Sequence, residues 1–180
     1  MKLKLLILVL ALQTAWILAT TFSQERGLAA GTLISLETMP VDPRDLLRGD
    51  YVVLNYKIST VPSALFSPPI TKDLSSGETV YVVLEKRGQF HEVARTSTTP
   101  IELGPGQVML KGRAEFRWGP SPSTVRVLYG LERYYVREGT GNPRGKLTVQ
   151  AAVTPSGEAR LKQVFVDGKP YADVIKPESP

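Results

Sequence analysis

The chain has no cysteine. Disulfide staples, thiolate nucleophiles and cysteine-ligated metals are therefore excluded. It has one histidine, His91, in 180 residues. Zinc and copper centres draw on several imidazoles or thiolates, so the chain offers no such ligand set, and His91 reads as a polar residue at a strand edge. A glycine-rich phosphate loop is missing as well: Glu138-Gly-Thr-Gly141 lacks the following Lys-Ser/Thr and a helix to open. The scattered glutamates offer no pair set apart for glycosidic chemistry. Amphipathic helical periodicity is nearly absent, and no segment repeats. Nothing in these residues calls for a cofactor.

What the chain does have is one long apolar run. Leu5 to Phe22 is interrupted only by Gln13, Thr14, Thr20 and Thr21. As a helix, Leu3 to Phe22 spans about 30 Å, the hydrocarbon thickness of a bilayer. A cleaved signal peptide is the rival reading. The run is longer than a signal core, and Ile17-Leu18-Ala19 places a bulky residue where cleavage prefers a small one. Residues 1–22 therefore read as an uncleaved anchor, with Trp16 toward the outer interface. Lys2 and Lys4 flank it on one side, while Glu25 and Arg26 cancel on the other. This asymmetry keeps the N-terminus in the cytoplasm and puts the rest outside.

Residues 23–31 read as a polar linker, 32–170 as one β-domain and 171–180 as a flexible tail. Thr32–Thr38 is a first strand. Val80–Lys86 and Phe90–Thr96 flank Arg87-Gly88, a hairpin signal. Gln107–Trp118 alternates most clearly, with Val108, Leu110, Gly112, Ala114, Phe116 and Trp118 inward and Lys111, Arg113 and Arg117 in the outward row. Thr124–Tyr135 returns as one strand with Val125, Val127, Tyr129 and Leu131 inward. Leu147–Val153 and Ala159–Val166 flank Thr154-Pro-Ser-Gly157, a second hairpin, and Asp167–Pro170 turns the chain out. Pro62, Pro68 and Pro69 make Thr60–Ser76 a long loop or partly helical excursion rather than a central strand. The expectation is an all-β or β-dominated fold, a bent antiparallel sheet or partly open barrel of about eight strands.

One stretch, Met39 to Tyr56, packs several signals together. Asp42-Pro43 is a helix N-cap and first helical residue, and Arg44 lies in the turn they start. Asp45 favours the positive helix end, Arg48 the carbonyl end, and Gly49 is placed for a left-handed stop. From Asp50 the period becomes two. Val52, Leu54, Tyr56 and Ile58 share one face; Tyr51, Val53, Asn55 and Lys57 share the other. The eight residues Gly49-Asp50-Tyr51-Val52-Val53-Leu54-Asn55-Tyr56 match every fixed position of the signature that names the bacterial GDYXXLXY family. Pro40–Arg44, Leu110-Lys111-Gly112 and Tyr134–Gly139 are similar to it too, so the resemblance spans roughly residues 32–168. The family is of unknown function. The resemblance implies a bacterial membrane-anchored protein with a multi-spanning membrane partner.

Two roles compete for the motif. In the structural one, Gly49 and Asp50 shape a turn, and Leu54 and Tyr56 are core. In the functional one, Asp50 and Tyr51 shape a binding groove at the strand's start. Leu46–Asp50 also resembles the end of the nucleophile segment of bacterial signal peptidases. The nucleophile's register falls on Val41, however, and Lys111 then has no hydroxyl to activate.

The formal charge of +5 is unevenly spread: residues 111–162 hold ten Lys and Arg against four Glu, and 23–110 eight against ten Asp and Glu. Such a balance speaks to solubility and non-specific attraction. An exported domain does not meet nucleic acid; anionic lipid or envelope polymer is what Lys111, Arg113 and Arg117 could hold. The expected function is a single-pass accessory module of the cytoplasmic membrane, its domain outside, docking on an integral membrane protein or envelope component without catalysis.

Overall fold

The structure is a computed structural model that describes residues 2–29, 31–39, 51–70, 74–115, 123–136 and 145–174. In chain order its elements are α1 (Lys2–Ala29), β1 (Thr32–Glu37), β2 (Tyr51–Val53), β3 (Thr60–Pro62), β4 (Thr79–Arg87) and β5 (Phe90–Ser97), then β6 (Gln107–Glu115), β7 (Thr124–Leu128), β8 (Arg133–Tyr135), β9 (Leu147–Val153), β10 (Ala159–Val166), β11 (Lys169–Pro170) and α2 (Tyr171–Val174). The strands form three antiparallel sheets, ordered β1-β9-β10-β11, β2-β8 and β3-β7-β6-β4-β5. Strands dominate, as expected, and no sheet closes into a barrel among the described residues.

α1 holds one 18-residue window, Lys4–Thr21, apolar and long enough to cross a membrane, with mean hydropathy 1.7 and none of it buried. The helix continues past the apolar run to Ala29, so most of the segment expected as a linker is helical. Gln24, Glu25 and Arg26 end the hydrophobicity, but glutamine, glutamate and arginine are good helix formers and do not end the helix.

The two-residue period sorts the strand faces as read. On β6, Val108, Leu110 and Ala114 are buried. Val52, Leu54, Tyr56 and Ile58 are buried as well, but the strand expected from Asp50 onward is only Tyr51–Val53, and Lys57–Ser59 is a 3-10 turn that buries both Ile58 and Ser59. On β1 the buried face is Ile34 and Leu36. These residues join a single core with Val80, Val82 and Leu84 of β4 and Val149 and Val153 of β9. Each fully buried aliphatic side chain contributes about 1.5–3 kcal/mol. The segment expected as a loop or partly helical excursion opens instead as a strand, β3, and only then makes a short 3-10 turn at Ser63–Leu65. β3 lies at an edge of its sheet, where the missing N–H of Pro62 leaves no inner ladder unpaired.

Two further expectations need correction. Thr124–Tyr135 is not one strand: β7 stops at Leu128 and β8, from Arg133, belongs to another sheet. The break is at Gly130, whose φ of +77° a side chain would disfavour. The chain does not leave the domain after Asp167. A tight Asp167-Gly168 turn pairs β11 with β10, and Tyr171 returns to the core at 5% exposure, edge-on to Tyr134 at 5.3 Å. The strand opened by Gln107 is described to Glu115; Phe116, Arg117 and Trp118 lie outside the described residues, as does the 138–141 segment.

His91 is more than an edge residue. It sits on β5, an outer strand of its sheet, yet it is buried. Its Nδ1 accepts the Ser35 N–H of β1 at 3.2 Å, tying two sheets together. Burial holds its pKa below the ordinary imidazole value of 6.5, and the Lys86 charge acts in the same direction. The stability this implies is complete above the unfolded value and is lost as pH falls from about 6.5 through the lower folded value. Protonating Nδ1 also ends its acceptor role. The melting temperature is therefore expected to drop between pH 7.5 and 5, and His91→Gln to flatten that drop. Equal pH slopes for the two proteins would contradict it. Glu37 does not confuse the window: Lys146 and Lys57 hold its carboxyl below the ordinary 4.5, so its contribution is lost only at lower pH.

Candidate binding groove

The second half of the GDYXXLXY stretch is built into the core by two hydroxyls. Tyr56 is fully buried and donates its hydroxyl to the Leu131 carbonyl at 2.7 Å. Tyr129 donates to the Ile58 carbonyl at 2.7 Å in the reverse sense. Segment 54–59 and the 129–132 turn are thus tied twice, and the Leu54 N–H adds a third link to the Glu132 carbonyl at 2.8 Å. Burial pushes both phenols above their ordinary pKa, with the Glu132 carboxylate adding to it, so each stays a neutral donor. Leu54 packs beside them at 1% exposure. For Leu54 and Tyr56 the structural role is the one the geometry gives.

Tyr51 is different. It faces outward on β2, with its ring 6.0 Å from that of Tyr135 and the Arg133 guanidinium 5.3 Å from its centroid. The register explains the cluster, since Tyr51 pairs with Tyr135 and Val53 with Arg133. Beside this ribbon opens a groove of about 760 Å³. Its floor is the outward face of β6 and β7, carrying Lys111, Arg113, Arg126 and Leu128. One wall is the β2–β8 ribbon, with Val53, Asn55, Arg133 and Tyr135. The other is Glu158, at the tip of the β9–β10 hairpin.

Four cations and two carboxylates line this space. Glu132 is occupied, its carboxylate accepting the Tyr129 N–H at 2.6 Å. Lys111 meets Glu158 at 3.2 Å, and Arg126 meets Glu115 at 2.8 Å and the Asn55 side-chain oxygen at 3.0 Å. Such exposed pairs contribute about 0–1 kcal/mol and are easily exchanged. Arg113 and Arg133 have no carboxylate partner among the described residues. The groove is therefore suited to an anion, bounded on one side by phenol rings. The Lys111 ammonium lies on the Glu158 carboxylate.

The structure thus brings the motif face and the charged row of β6 onto one surface, through Val53, Asn55, Lys111 and Arg113. Asp42, Arg44, Gly49, Asp50 and Arg117 lie outside the described residues. Sequence reasoning missed Arg126, Arg133 and Tyr135. Arg126 could have been found, because it alternates with the inward Val125 and Val127; Arg133 follows the break at Gly130, where that parity no longer applies.

The class these features define is a strand-dominated domain behind one apolar N-terminal helix. The family model described as GDYXXLXY protein matches residues 13–164, and the chain belongs to that family. No curated protein and no solved structure matches it.

Proposed function

We propose that the protein is a single-pass accessory module of the bacterial cytoplasmic membrane. Its β-domain lies outside and docks on an integral membrane protein or another envelope component, without catalysis. The observation that carries this reading is the short tether. None of the apolar window Lys4–Thr21 of α1 is buried, and only Ala30 and Gly31 separate the helix from β1. A domain held that closely meets partners in or on the bilayer far more often than free solutes. A co-purification in mild detergent with α1 intact tests it: a stoichiometric multi-spanning partner is the expected result. A lone protein that turns over peptide or ester substrates would sink it.

The anchor itself makes a separate prediction. Mature protein from a membrane fraction is expected to begin at Met1 or Lys2 and to resist carbonate extraction. An N-terminus at Thr20 or later would identify α1 as a cleaved signal peptide.

A further inference from the structure

The groove lies at the pole of the domain where α1 arrives. β1 begins at Thr32, three residues after the helix ends. Thr32 pairs with Val153, and Val153 pairs on its other side with Ala159. The β9–β10 turn, residues 154–158, therefore flanks the point where the chain leaves the helix. That same turn closes the groove. Gly157 accepts the Lys111 N–H at 2.8 Å, and Glu158 lines the groove beside Lys111.

The reach to the bilayer is short. From the end of the apolar window at Thr21 to Ala29 there are eight helical residues, a rise of about 12 Å. The headgroup zone takes about 5–8 Å of that on one side of a bilayer. What remains is within about one Debye length, ~8 Å at physiological ionic strength. Two exposed side chains suit such a position. Leu33, at the start of β1, is 60% exposed. Tyr135, on the groove wall, is 71% exposed, and a phenol joins an apolar body to a polar tip, as interfaces favour.

We propose that the groove binds the headgroup of an anionic phospholipid in the leaflet from which α1 emerges, with Arg113 and Arg133 donating to its phosphate. These two arginines have no carboxylate partner among the described residues, whereas Lys111 and Arg126 are paired. A guanidinium fork matches phosphate oxygens bidentately, which an ammonium cannot do. The volume of about 760 Å³ falls within the size of ordinary ligand sites. An acidic peptide would satisfy the same charges, but the membrane-proximal place of the groove favours the lipid. The proposal rests on α1 spanning the membrane, which carbonate extraction tests on its own.

The test uses the full chain in mild non-ionic detergent, with phosphatidylglycerol or phosphatidylcholine added at equal concentration and retained lipid counted by native mass spectrometry. Phosphatidylglycerol is expected to be retained about tenfold or more over phosphatidylcholine, since each basic side chain near an anionic surface adds severalfold. Arg113→Gln/Arg133→Gln should abolish the preference with the melting temperature unchanged. Lys2→Gln/Lys4→Gln, at the other end of α1, should keep it. Equal retention of the two lipids overturns the proposal. So does a preference that survives the arginine changes or vanishes with the lysine changes. Displacement of the lipid by hexaglutamate at equal concentration would assign the groove to an acidic protein segment instead. If the arginine variant unfolds, salt decides: the wild-type preference must fall severalfold between about 50 and about 500 mM, and a salt-insensitive preference overturns the proposal.

Discussion

Replacing Tyr56 by alanine is expected to lower the unfolding free energy by about 3–5 kcal/mol, as removal of a large buried ring does. Tyr56 is fully buried, and its hydroxyl is bonded to the Leu131 carbonyl. The alanine therefore leaves a cavity and an unpaired buried carbonyl together. Tyr56→Phe separates the two effects. It keeps the ring and removes only the donor, at a cost of about 1–3 kcal/mol. Native domains retain about 5–15 kcal/mol in all, so the alanine variant falls near the margin while the phenylalanine variant stays folded. Denaturant unfolding of the full chain in mild detergent, followed by tyrosine and tryptophan emission, measures both. Because Tyr129 makes the converse bond to Ile58, the double change Tyr56→Phe/Tyr129→Phe should not be additive. If Tyr56→Ala cost less than about 1 kcal/mol, the second half of the motif would not be a core element.

How much of this was readable beforehand follows from the range of each signal. Side-chain alternation is fixed by the strand backbone itself. The inward face at Val108–Ala114 was therefore legible without any knowledge of its partners, whereas Leu54, Tyr56 and Ile58 are buried beyond the end of β2, where strand alternation no longer applies. The break after β7 was not. Val125, Val127, Tyr129 and Leu131 are all buried, so the alternation continues across a change of sheet and conceals it. Only Gly130 marked the place. The extent of α1 was misjudged for a different reason: hydropathy reports where apolar surface ends, and helicity continues through polar residues.

The groove was half legible. Lys111 and Arg113 stood out as a charged row, and the outward face of the motif strand stood out separately. Their meeting depends on pairings between distant segments. Val53 lies opposite Arg133, Arg113 opposite Leu128, and Gly157 receives the Lys111 N–H. No local pattern encodes which hairpin tip closes over which strand. The same limit applied to His91, whose burial is created by β1 arriving from 56 residues away.

Gly112→Val is expected to cost about 3 kcal/mol or more, the upper end of what over-packing does in a core. Gly112 lies on β6, opposite Val80 of β4 and on the inward face. A Cβ added there would run into Val127 Cγ1, 2.9 Å from the Leu128 carbonyl oxygen and 3.0 Å from Tyr129 Cδ1. None of the three can move freely. Val127 is fully buried and stiff at χ1, Leu128 pairs with Arg113, and Tyr129 is fixed by its hydroxyl on Ile58. Gly112→Ala makes the sharper comparison. Alanine relieves the entropic cost of glycine in a strand, a gain of about 0.5–1 kcal/mol, against a clash of about 1–3 kcal/mol. The clash is larger, so alanine should still destabilise, and valine more. The strain has a direction, because displacing Tyr129 loosens the bond to Ile58. Amide exchange of the full-length alanine variant should therefore quicken at residues 54–59 before it does in β9 and β10. An alanine variant that melts with the wild type would show that β6 and β7 have room between them, and would remove the reason for a glycine under the Tyr129 ring.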